Sequence, residues 1–149
     1  MFKFDNIEIE AFIKGSIPTY QQEKLLMLLQ KDYIKIEDVE LNGKVLTGEA
    51  NNNLMFLNTG PSIQKTSFWE CVKKEVYNFI CTESETYSHE RGLIGKNFKE
   101  LTTIIATAIG TKLSLGTGVI IGIVTNILIG VIKLKKNAWC EYQKENMNK

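Results

Sequence analysis

A chain of 149 residues and 16.9 kDa makes one domain, or a small domain with an appended helical module. Its 44% hydrophobic and 23% charged residues sit near globular averages and exclude wholesale disorder and fibrous repeats. A net charge of +1 gives no overall pull toward nucleic acid, and no nucleic-acid partner is expected. The average hides an asymmetry: residues 1–60 carry net −3, residues 61–100 balance, and residues 101–149 carry net +4. Cys71, Cys81 and Cys140 make an odd count with no CxxC pair, so no disulfide framework and a reducing compartment are expected. Residues 1–5 lack the charged-then-apolar pattern of a secretory signal peptide.

Residues 1–60 predict an α+β unit of order β-α-β-β-β. Ile7, Ile9, Ala11 and Ile13 alternate as in a half-buried strand. Thr19 and Gln22 have capping-box spacing ahead of Leu25, Leu26, Leu28 and Leu29, which predicts a helix over 19–30. Alternation over 33–41, the Asn42-Gly43 hairpin signal and a return strand over 44–47 follow. Asn51-Asn52-Asn53 is a further turn, and 54–57 reads as a third short strand of this group. A unit this small has a thin core and must lean on the rest of the chain or on a copy of itself. Gly43, Gly48 and Gly60 lack the spacing of a phosphate loop. Glu37, Asp38 and Glu40 read as a solvated face, because one strand cannot supply convergent metal ligands. The unit is therefore assigned to sensing, through a protein partner or a small ligand.

Residues 61–100 read as a linker over 61–66 followed by amphipathic helices. Ser67 and Glu70 form a capping box, and Phe68, Val72, Val76, Phe79 and Ile80 give a helical stripe ending near Cys81. Trp69 and Tyr77 read as packing residues, and a shorter helix is expected over 85–91. His89, on a polar segment, reads as a surface residue. Neither a dyad with Cys71 or Cys81 nor a zinc site has a supporting signature. Arg91 bridges a carboxylate such as Glu83 or Glu85, or holds an anionic ligand. No catalytic residue, metal or cofactor is expected.

Residues 101–149 are the most informative. The stretch 113–132 has no charge and is long enough, as a helix, to cross the hydrocarbon core of a bilayer. Lys133, Lys135 and Lys136, with Trp139 and Tyr142 beyond, resemble a membrane-interface anchor. Ala106, Gly110, Ser114, Gly118, Gly122, Asn126 and Gly130 recur at four-residue spacing and include a GxxxG motif. Small residues at this spacing let helices approach closely in lipid, and Asn126 can hydrogen-bond across such an interface. These positions are the expected oligomerisation face of a homo-oligomer, and on this reading Gly122→Leu abolishes assembly while residues 1–60 stay folded. The cluster 114–118 is also a helix breaker, which gives a hairpin with arms over 98–113 and 119–139. Such a hairpin either inserts in a membrane or forms the buried core of a soluble bundle or oligomer. The hairpin keeps the N-terminal unit and the basic tail on the same, cytoplasmic side of the membrane.

The run Phe68-Trp69-Glu70, Cys81, Tyr87 and Arg91, followed by the small-residue apolar tract and Asn137-Ala138-Trp139-Cys140-Glu141, resembles small hydrophobic-tailed proteins of bacterial anti-phage defence loci. The resemblance covers residues 67–141 and implies a non-enzymatic accessory or effector role at the inner membrane, with no catalytic residue to transfer. Together these readings predict a membrane-associated effector that self-assembles and perturbs membrane integrity. The alternative is a cytoplasmic regulatory or immunity-type subunit whose apolar helices are buried in an oligomer or partner interface.

Overall fold

The computed structural model describes residues 4–49, 56–58, 65–93 and 97–147. Within them the chain folds as an all-α bundle. Its helices are α1 (Asn6–Ser16), α2 (Thr19–Gln30), α3 (Ile36–Leu46), α4 (Phe68–Cys81), α5 (Ser88–Gly92), α6 (Phe98–Leu113), α7 (Thr117–Leu134) and α8 (Lys136–Met147). A three-residue antiparallel ribbon, β1 (Phe56–Asn58) with β2 (Lys65–Ser67), precedes α4, and Phe56 pairs with Ser67.

The expected N-terminal α+β unit is overturned. Its first strand is α1. Asp5 caps that helix by accepting the Glu8 amide at 2.7 Å, and the helix buries Ile9, Phe12 and Ile13. Ile7, counted in the alternation, is 79% exposed, so a 3.6-residue period and not a period of two governs the segment. The expected hairpin over 33–47 is α3, which runs straight through Asn42-Gly43. Asp38 closes the start of α3 by accepting the Lys35 amide at 2.8 Å. That bond, with Lys31 nearby, holds the Asp38 carboxyl below the usual carboxylate range. Tertiary contact overrides the turn propensity of the dipeptide. A Cβ on Gly43 would collide with the Trp69 ring, and the Asn42 amide is engaged elsewhere in the core.

The expected third strand over 54–57 overlaps β1, whose partner is β2 beside α4 and not an N-terminal sheet. Asn51-Asn52-Asn53, residues 54 and 55, Gly60 and residues 61–64 of the expected linker lie outside the described residues. Helix α2 has its expected bounds, but its cap residue is Pro18. Thr19 does not cap it, and Gln22 donates instead to the Ile17 carbonyl at 2.8 Å. Helix α4 starts as read, with Ser67 Oγ accepting the Glu70 amide at 3.2 Å.

A continuous apolar core runs from Ile9 to Trp139, with α7 at its centre. Helix α7 packs on α2, α3, α4, α6 and α8. The helices packed on α7 turn polar faces outward, while every residue of α7 from 120 to 131 is buried. Residues 1–60 thus lean on the rest of the chain, since α2 and α3 close their apolar faces on α7.

Candidate functional site

The site is the α6–α7 hairpin and its sheath. Its two arms have 16 and 18 residues. Helix α6 is capped at its start by Asn97 Oδ1, which accepts the Glu100 amide at 2.8 Å. It ends in a reverse turn with Ser114 in the left-handed conformation (φ 60°), the Leu115 amide reaching back to the Gly110 carbonyl at 2.8 Å. A Cβ on Gly110 would stand 2.7 Å from the Leu115 carbonyl oxygen, so glycine there lets the chain fold back. Among the described residues one helix, Thr117–Leu134, is long and apolar enough to cross a membrane; its 18 residues are 67% buried within the bundle. At 1.5 Å per residue it spans about 27 Å.

Of the small residues singled out in the sequence, Ala106, Gly110, Gly122, Asn126 and Gly130 are buried inside this chain, and Ser114 and Gly118 are exposed. Ala106 is buried in the core. A Cβ on Gly122 would collide with the Gln21 carboxamide of α2, and one on Gly130 would stand 2.7 Å from Val39 of α3. Gly118 lies at the exposed start of α7, with open space where a Cβ would be. Asn126 is fully buried. Its Nδ2 donates to the Val39 carbonyl at 3.1 Å, and its Oδ1 accepts from Asn42 Nδ2 at 2.7 Å. Asn42 also reaches the Lys24 carbonyl at 3.3 Å, so one polar thread joins α2, α3 and α7. Thr125 Oγ1 turns back to the Ile121 carbonyl at 2.7 Å.

The expected interface anchors divide. Lys133 Nζ donates to the Lys31 carbonyl at 2.7 Å, tying the end of α7 to the end of α2. Lys135 and Lys136 are exposed at the joint between α7 and α8. Trp139 is 1% exposed and belongs to the core. The second hairpin arm, expected over 119–139, instead ends at Leu134. The chain turns at Lys135 (φ 78°), and Trp139 seats α8 against the bundle.

Two groups outside the apolar tract fix the sheath. Glu75, buried on α4, accepts from the Tyr87 hydroxyl at 2.6 Å and pairs with Lys112 of α6 at 3.1 Å. Burial pushes the Tyr87 phenol well above its ordinary value, and the Glu75 carboxylate adds to the shift. Arg91 forks onto three carbonyls, those of Asn78 and Phe79 in the last turn of α4 and that of Ser84 in the loop beyond it, at 2.7 to 2.8 Å. It holds neither Glu83 nor Glu85, the carboxylates expected for it, and its guanidinium ties up the orphan carbonyls of a helix C-terminus.

The expectation of unpaired cysteines is also corrected. Cys81 at the end of α4 is disulfide-bonded to Cys140 of α8, with Cα atoms 5.7 Å apart. Cys71 is the free thiol; burial first, and then Glu75, pushes it up. His89 is exposed on α5. Sequence spacing gave no route to the Cys81–Cys140 pairing or to the Glu75–Tyr87–Lys112 group, whose members lie on different elements.

A shallow groove between α2 and α3, lined by Lys24, Met27, Lys31, Leu41 and Val45, is one concavity in the segment assigned to sensing. Comparison with protein-family models, curated proteins and solved structures finds no match to this chain.

Proposed function

We propose that the chain is a non-enzymatic, membrane-acting protein that carries its bilayer-spanning helix sheathed inside a water-compatible bundle. One observation carries the reading: α7 has the length and composition of a membrane span, yet residues 120–131 are wholly enclosed by amphipathic helices. Opening the sheath exposes an apolar surface far larger than a soluble monomer tolerates, and a bilayer is the solvent that accepts it. Helix α6 follows α7, since residues 101–111 carry no charge and its outward face presents Thr103, Thr107 and Thr111. One or two helices cannot enclose a pore, so leakage requires several copies. The small face of α7 that packs on Gln21 and Val39 in the closed form is then free to pack on a neighbour.

The test is dye release from vesicles at neutral pH by the protein with its Cys81–Cys140 disulfide reduced, with flotation to separate bound from free protein. Release with co-flotation supports the reading. A protein that stays at one defined size in the aqueous fraction, with vesicles intact, overturns it.

A second reading is that of a soluble regulatory subunit, and the Asn42–Asn126 pair favours it. A buried amide matched to two partners from α3 is a core feature that specifies one soluble packing. On that reading the α2–α3 groove is the partner surface.

A further inference from the structure

We infer that the Cys81–Cys140 disulfide is a redox-cleavable latch that holds α8 down over α7. The inference deepens the membrane-acting reading and rests on it only for the consequence of opening.

Three observations converge on α8. Its packing partners are α7 and α4, and its one covalent tie to α4 is the disulfide. The joint that leads into it is unfavourable. Lys135 holds φ 78° and ψ 139°, a backbone region that side chains other than glycine's rarely occupy. The seat itself is imperfect too: Gln143 is 3% exposed and its Nε2 is buried without a hydrogen-bond partner. A strained joint and an orphaned amide both favour release of α8, and Trp139 and the disulfide oppose it.

The other end of the latch is fixed. Arg91 clamps the carbonyls of Asn78 and Phe79 immediately before Cys81, so α4 supplies a rigid post and α8 the moving arm. Cys81 and Cys140 are both partly exposed, which leaves the bond open to an attacking thiolate. Cys71 lies ten residues earlier on the same helix, about 15 Å along its axis, too far to exchange into the bond without unfolding α4.

The chemistry is ordinary thiol–disulfide exchange with a dithiol reductant. One thiolate of the reductant attacks Cys81 or Cys140, the other cysteine leaves as a thiolate and takes a proton, and the second thiol of the reductant resolves the mixed disulfide. Two electrons pass to the protein, two cysteine thiols result, and the reductant becomes a disulfide. Helix α8 is then held by noncovalent packing on α7 and α4, with Trp139 seated in the core, against its own joint.

The experiment uses the full chain, purified without reductant. Alkylation and intact mass count its free thiols, and one is expected, Cys71. Hydrogen exchange is then followed over α8 and α7 before and after dithiothreitol, beside dye release from anionic vesicles. With the two cysteines 59 residues apart, loss of the cross-link lowers protection in α8 by about two to three decades. Vesicle leakage then appears in the reduced sample. A Cys81→Ser/Cys140→Ser variant behaves as the reduced protein does without reductant. Should that variant fail to fold, reduced and alkylated wild-type protein gives the same comparison.

Equal α8 protection in both redox states, or three free thiols in oxidised protein, overturns the latch. Loosened α8 with intact vesicles leaves the latch standing and overturns the membrane-acting reading.

Discussion

Asn42 of α3 donates its side-chain amide to Oδ1 of Asn126, 2.7 Å away, at the middle of the most apolar helix in the chain. The bond ties the sheath to the helix it covers. Asn126→Ala leaves the Asn42 amide and the Val39 carbonyl short of a partner and costs about 1–3 kcal/mol of stability. A double-mutant cycle with Asn42→Ala, read by denaturant unfolding, isolates the pair. Additive losses would show that the two side chains are not coupled.

Gly122 meets the Gln21 carboxamide, whose Oε1 is buried without a hydrogen-bond partner. Gly122→Leu therefore expels Gln21 and loosens α2, destabilising the monomer by about 1–3 kcal/mol. The small-residue spacing alone puts this substitution at an oligomer interface with residues 1–60 left intact. The contact with α2 predicts instead that the N-terminal helices are disturbed, visible as early proteolysis within residues 1–49. A variant as stable as the parent removes Gly122 from the monomer core.

Tyr87 sets an alkaline limit. Its phenol is raised in the folded state, whereas the unfolded phenol titrates at about 10. Between those values the unfolded chain loses a proton that the folded chain keeps. Stability is therefore full below pH of about 10 and falls as pH rises further. Tyr87→Phe removes that slope, at the cost of the Glu75 bond at neutral pH. Denaturation midpoints for both proteins across neutral and alkaline pH check it. Parallel profiles would assign alkaline loss to other groups.

Arg91→Lys tests the post that holds α4. A lysine ammonium cannot fork onto three carbonyls with fixed geometry, and the loss is about 1–3 kcal/mol. Thermal or denaturant unfolding reads it directly. A neutral substitution would mean that solvent satisfies those carbonyls equally well.

The hairpin was legible in the sequence because its signals are local. An uncharged run fixes α7, and the cluster 114–118 marks the reversal between Leu113 and Thr117. The Ser67 cap and the stripe of α4 were legible for the same reason. The N-terminal helices were not. Ile7, Ile9, Ala11 and Ile13 satisfy a period of two by coincidence, with Ile7 facing solvent, while Asp5 caps a helix over the same residues. Asn42-Gly43 carries a strong local turn preference, and it is overruled by Trp69 and Asn126, which lie far away in sequence. The small-residue spacing was visible, but its partners inside the chain, Gln21 and Val39, were not. The end of α7 at Lys135 depends on how Trp139 and Cys140 dock, information that no local window holds.

The central claim is that α7 leaves its sheath and enters a bilayer. Carbene photolabelling from a reagent dissolved in the hydrocarbon of anionic vesicles tests it, with the full chain, its Cys81–Cys140 disulfide reduced, added at neutral pH and the labelled sites mapped by mass spectrometry. Label is expected to concentrate in residues 117–134, extending into α6, with little on α1 to α3. Labelling confined to side chains already exposed in the bundle, such as Ile7 and Tyr20, with α7 unlabelled, would contradict it and leave α7 as the core helix of a soluble interaction subunit.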